Sequence, residues 1–139
     1  MKKSKKKKQK TIKQAGQSYP LKIKNSKFIA SIYPVKTEKE AKDFLKRIKD
    51  KFNDATHNVY AYRIMTEEGI FQRANDDGEP HGTAGGSILY VLEMQKLINL
   101  IVVVTRYYGG KKLGKGGLMR AYTKSTSDLI KLLGTKKLK

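Results

Sequence analysis

The sequence predicts an α+β two-layer sandwich in the order β-α-β-β-α-β-α, and three observations carry that prediction. Residues 27–35 and 58–64 alternate apolar and polar with many strand formers. Between them, residues 41–52 repeat apolar side chains at helical spacing, and further along residues 98–105 form a short β-branched run. Helices alternating with strands of a mixed sheet pack as layers. The reading places the helices on one sheet face and leaves the other for contacts.

Each element has its own local warrant. The first strand, 27–35 (KFIASIYPV), ends near Pro34, which belongs at an edge or strand end. Thr37 followed by Glu40 makes a capping box, and Ala41, Phe44, Leu45, Ile48 and Phe52 then line one helical face. Residues 58–64 and 70–74 alternate about a turn that closes on Gly69, which reads as a hairpin. Tyr60 and Tyr62 share one face of that hairpin and read as core rather than as a stacking platform. A helix starts from Ser87, with Ile88, Leu89 and Leu92 buried, and 98–105 follows as a central strand buried on both sides. A last helix near Leu118 carries Tyr122, Ser125, Leu129 and Leu132 inward and ends by Gly134.

Composition restricts the function classes. The chain has 139 residues, a net charge of +19, no cysteine and no tryptophan. One core is possible at this size and a second is not. Without cysteine there is no disulfide framework, thiolate zinc site or cysteine nucleophile. The apolar run at 97–104 is interrupted by Asn99 and far shorter than a membrane helix, so no membrane partner is expected. No secretory signal follows the basic start, which implies a cytoplasmic location, or a nuclear one if the lysines act as an import signal.

Charge is unevenly placed. Residues 1–13 hold eight lysines and no acid, residues 131–139 hold four more lysines, and all 12 acids lie between. The reading is therefore a disordered lysine-rich arm at 1–20, a folded domain at 21–134 and a basic tail at 135–139. The arm reads either as a counterion-releasing contact for RNA, DNA or anionic lipid or as a solubilising tail. The folded middle keeps about +7 (19 basic minus 12 acidic residues), spread over a surface.

Two segments have the residue types for chemistry. NDDGEPHGT at 75–83 gathers Asp76, Asp77, Glu79 and His81 around Gly78 and Gly82. Such oxygen-rich clusters hold magnesium or activate water, but Asn-Asp-Asp-Gly is also plain turn chemistry, with no dedicated ligand spacing. His57 and His81 make no zinc pair, and Ser87 has no visible base. No metal, cofactor, catalytic residue or enzymatic activity is expected; the alternative is an enzyme acting on a phosphorylated or nucleotide substrate, with Asp76, Asp77 and Glu79 holding a metal beside the glycine loop. The second segment, TRYYGGKKLGKGGLMR at 105–120, lacks the Gly-Lys-Ser/Thr end of a P-loop. Its physics still suits phosphate. Gly109 and Gly110 let backbone amides approach an anion, a helix N-terminus follows, and Arg106, Lys111, Lys112, Lys115 and Arg120 supply charge. Tyr107 and Tyr108 are candidates to stack on bases. The alternative is a tight strand-to-helix connection with packed tyrosines and solvated lysines.

SKFIA at 26–30, ATHNVYAYR at 55–63, DDGEPHGTAG at 76–85 and VVVTRYYGGKKLGKGGLMRAY at 102–122 together resemble the Impact family, known in bacteria as YigZ-like proteins. The family signature is filled at Gly85, Ile88, Leu89, Leu92, Leu97, Val103, Val104, Arg106, Tyr107, Tyr108, Gly109, Gly110, Leu113 and Gly114. The resemblance spans about residues 25–130. Ser87 replaces a usual proline, and a serine N-cap would keep the helix start.

The resemblance implies a fold like domain 2 of a small-subunit ribosomal protein, also seen as domain IV of elongation factor G. It implies a link to translation, with RNA or the ribosome as partner, or a translation-regulatory protein instead. Eukaryotic relatives restrain the kinase response to amino-acid starvation by competing for its activator. They bind it mainly through a separate N-terminal domain, whereas bacterial relatives add a C-terminal ferredoxin-like domain. A chain of this length has room for neither.

Overall fold

The structure is a computed structural model and describes residues 9–138. Strands β1 (Lys10–Ile12), β2 (Gly16–Gln17), β3 (Leu21–Ile23) and β4 (Ser26–Pro34) lead into helix α1 (Glu38–Lys51). The hairpin β5 (His57–Thr66) and β6 (Gly69–Asn75) precedes α2 (Gly85–Met94). Then come β7 (Leu100–Tyr107), α3 (Gly114–Leu133) and β8 (Thr135–Lys137). From β4 to α3 the order is the expected β-α-β-β-α-β-α.

The main sheet runs β2-β4-β7-β5-β6, with β3 also paired to β4, and every pair is antiparallel. Strand β7 is central, and Leu100 to Val104 are fully buried on both faces. One expectation is corrected here: the helices do not all lie on one face. Ile101 and Val103 pack with Tyr62, Ile64 and the α1 residues Ala41, Phe44 and Ile48. Leu100, Val102 and Val104 pack with Phe28, Ala30, Val59 and Ala61 under α2 and α3. The alternation of β7 is apolar on both sides, which requires cover on both sides.

Helix α1 begins as expected. The amide of Glu40 donates to Thr37 Oγ1 at 3.1 Å, while the Glu40 carboxylate accepts from the Lys36 amide at 2.7 Å. Helix α2 starts two residues before Ser87, so Ser87 is a buried first-turn residue and not the N-cap. Helix α3 starts at Gly114 rather than near Leu118, and its inward stripe ends on Ile130 and Leu133, leaving Leu132 74% exposed.

The boundaries of the lysine-rich arm and the basic tail are also corrected. Residues 10–12 pair with 135–137, and Ile12 is buried in the core. The Lys10 amide donates to Lys96 O at 2.8 Å, and its carbonyl accepts from the Ile98 amide at 2.9 Å. Gly16 and Gln17 pair with Ile32 and Ser31. A lysine-rich segment still forms a strand when a distant segment supplies its partner, and local charge patterning does not see that partner. Residues 1–8 and 139 of the expected arm and tail lie outside the described residues.

Candidate nucleic-acid interface

Strand register sets the floor of the site. Arg106 on β7 stands opposite Phe28 on β4 and His57 on β5. All three lie where the α3-covered face of the sheet reaches its end, and the Arg106 guanidinium sits 5.5 Å from the centroid of Phe28 and 5.3 Å from that of Tyr108. Arg106 is buried and holds both oxygens of Glu79, at 2.9 and 2.8 Å, through one nitrogen. It also donates to Ser26 Oγ at 3.1 and 3.3 Å. Tyr122 of α3 donates its hydroxyl to Glu79 Oε2, and burial, then this carboxylate, pushes the phenol well above its ordinary range. Arg106 is therefore an internal counter-ion for Glu79 rather than a free phosphate contact. The acidic loop and the glycine loop meet at this pair.

The other acidic-loop residues are engaged locally. Asp76 accepts from the amides of Gly82 (2.9 Å), Ala84 (3.2 Å) and Gly85 (2.8 Å), which caps the N-terminus of α2 from a distance. Asp77 accepts from the Asn58 amide at 2.7 Å, and its carbonyl bonds to His57 Nδ1 at 2.7 Å. His81 is exposed. Among the described residues no group of three such side chains converges on a metal position. The Asn-Asp-Asp-Gly segment performs the turn chemistry, with Asp77 and Gly78 both at positive φ.

The glycine loop divides into packed and open parts. Tyr107 donates to Asp54 Oδ1 at 2.8 Å, and burial followed by that carboxylate raises its pKa. The Tyr108 amide donates to Thr56 Oγ1, leaving its ring 46% exposed. Gly109 lies against Asn25 so closely that a Cβ would come within 2.1 Å of its backbone, so this glycine serves packing. Gly110 and Gly114 are at φ of 88° and 75°.

Lys111, Lys112, Lys115 and Arg120 are exposed. Among the described residues none of the four has a carboxylate within ion-pairing distance. The N-terminus of α3 between them has no side-chain cap and no acid in its first turn. Beneath it opens a pocket of about 520 Å³ whose lining includes Lys112, Lys115, Gly114, Tyr108, His57 and Glu79.

A family model described as the Impact N-terminal domain matches residues 24–130, which include both loops of this site. The chain belongs to the Impact family. Among its Impact relatives, the family member YvyE of Bacillus subtilis is 48% identical over 124 residues, covering 89% of this chain and 56% of that protein. A Thermus thermophilus member is 46% identical over 72% of this chain and 52% of its own length. Human Protein IMPACT is 35% identical over 85% of this chain and 41% of its own. The chain thus spans about half the length of these relatives.

The solved structures agree on the Impact fold. A crystal structure described only as that of a hypothetical protein superposes with a TM-score of 0.86 at 30% identity, covering 94% of this chain and 63% of that one. The two-domain translational regulator Yih1 superposes with a TM-score of 0.57 at 25% identity, covering 85% and 47%. No helix among the described residues is long and apolar enough to cross a membrane.

Sequence reasoning missed Ser26, His57 and Tyr122 as parts of the site. His57 bonds to the Asp77 carbonyl, and its position beside Arg106 follows from strand register. Tyr122 was visible as a member of the buried helix stripe and of the resembling stretch 102–122, neither of which points to Glu79. Its bond to Glu79 depends on where α3 crosses the sheet.

Proposed function

We propose that this domain is a non-enzymatic RNA-binding module of translation regulation that docks on RNA, including the RNA surface of the ribosome. The observation that carries the reading is the cluster of Lys111, Lys112, Lys115 and Arg120, exposed and, among the described residues, without carboxylate partners, around the uncapped start of a 20-residue helix. Helix amides and unpaired ammonium groups are a phosphate site in physical terms. The contrast with α2 is informative, because there Asp76 already occupies the helix start. The description of the structural neighbour Yih1 as a translational regulator supports the biological setting.

The test is fluorescence anisotropy of a short single-stranded RNA with the full chain and with a chain lacking residues 1–8, which hold six lysines. The truncation stops before β1, so the sheet partner of β8 is kept. Binding that persists after truncation supports the folded surface. Binding lost entirely with residues 1–8 overturns it.

A second reading is a docking module for a translation-regulatory protein. Tyr90, Met94 and Met119 are exposed by 57, 63 and 47% on the outer faces of α2 and α3, more apolar surface than a helix exterior needs. A pull-down that survives nuclease and is lost in Tyr90→Ser with Met119→Ser would favour this reading.

A further inference from the structure

The pocket below the glycine loop offers more than phosphate contacts. Its volume of about 520 Å³ falls within the range of small-molecule sites. One side is cationic, formed by Lys112, Lys115 and the Gly114 end of α3. Leu113, Leu118 and the half-exposed Tyr108 supply apolar lining beside it.

The wall formed by His57 and Glu79 has a different chemistry. His57 Nδ1 lies 2.7 Å from the Asp77 carbonyl oxygen, which only accepts, so in the neutral ring Nδ1 carries the proton. His57 Nε2 then presents a lone pair, 3.5 Å from Glu79 Oε1. The Glu79 carboxylate beside it is already held by Arg106 and Tyr122, so the acceptor this wall offers to a donor is His57 Nε2. A phosphate consists of acceptors and suits the cationic side alone. A nucleobase carries N–H donors on its edge and flat apolar faces.

Resting on the RNA reading, we propose that the pocket receives one unpaired base of a single-stranded RNA. The base edge donates to His57 Nε2, and the phosphate of that nucleotide lies at the start of α3 between Lys112 and Lys115.

The experiment compares, at one salt concentration, an oligoadenylate with a ribose-phosphate oligomer of equal length that has no bases. Backbone charge is the same in both. The oligoadenylate should bind about tenfold tighter or more, the scale of one base contact. Filling the pocket by Leu113→Trp, or removing its ring by Tyr108→Ala, should bring the ratio of the two affinities close to one. The ratio is internal to each protein, and Tyr108→Ala serves if the tryptophan variant does not fold. Equal affinities in the unsubstituted chain would overturn the inserted base while leaving RNA binding in place. A ratio unchanged in both variants would put the base contact outside the pocket and overturn the proposal. No binding of either oligomer would overturn the RNA reading and this inference with it.

Discussion

Arg106 and Glu79, 27 residues apart, form a buried ion pair in which one guanidinium nitrogen meets both carboxylate oxygens, at 2.9 and 2.8 Å. This contact fixes the loop between β6 and α2 against the end of β7, and so brings the two candidate segments together. Glu79→Gln leaves a buried guanidinium without its counter-charge, and breaking such a pair from one side costs about 3–5 kcal/mol. Chemical denaturation should report a loss on that scale. A loss under about 1 kcal/mol, the value of an exposed pair, would contradict it.

Asp76 has a purely structural assignment. Asp76→Ala leaves three amides without an acceptor and should destabilise the domain by about 1–2 kcal/mol, as the loss of a helix cap does. Asp76→Asn, which keeps an acceptor, should lose less. Magnesium should not change the melting temperature of either variant relative to the unsubstituted chain. A magnesium-dependent stabilisation that Asp76→Ala removes would contradict the assignment.

The glycines separate into two kinds. Gly109→Ala drives a Cβ into the Asn25 backbone and should destabilise by more than about 2 kcal/mol. Gly86→Ala meets no atom within 4 Å, has no positive φ and lies in α2, so it should stabilise by about 0.5 kcal/mol. Thermal melts of the two variants should therefore move in opposite directions.

Tyr62 and Glu38 predict a specific alkaline behaviour. Burial, then the 2.7 Å hydrogen bond to Glu38, pushes the Tyr62 hydroxyl up to about 12. A raised pKa gives stability that is fully present below the unfolded value of about 10 and is lost as pH rises through the folded one. Glu38 is shifted down, first by this same bond, so its contribution is present above its unfolded value and lost as pH falls through the folded one. Tyr62→Phe should flatten the stability profile between about pH 10 and pH 12 relative to the unsubstituted chain. Tyr122 is present in both proteins, so the difference between the profiles isolates Tyr62. Parallel profiles across that window would contradict the assignment.

Much of the fold was legible because its signals are local. The Thr37 cap, the Ala41–Phe44–Ile48 stripe, the hairpin at Gly69 and the β-branched run of β7 each follow from a few adjacent residues. What failed depended on distant partners. Ile12 joins the core only because residues 135–137 complete its sheet, and α1 covers the face expected to be free because β7 is apolar on both sides. In the site, Lys111, Lys112 and Lys115 are exposed, which both the phosphate reading and the solvated-lysine alternative require. Arg106 was misassigned because a cation in a basic loop looks like a phosphate contact until Glu79 is seen beside it. The role of Asp76 was equally hidden, since the helix that it caps begins nine residues later.

The central claim is that the Lys111, Lys112 and Lys115 surface binds RNA through phosphates, and a salt series tests it most directly. Single-stranded RNA binding should be measured from low to moderate salt with the chain lacking residues 1–8, with and without alanine at the three lysines. On single strands each neutralised phosphate contributes about 0.7 to the slope of log K against log salt. The account predicts a slope shallower by about 2 in the triple variant, with weaker binding at every salt concentration. An unchanged slope with unchanged affinity would contradict it.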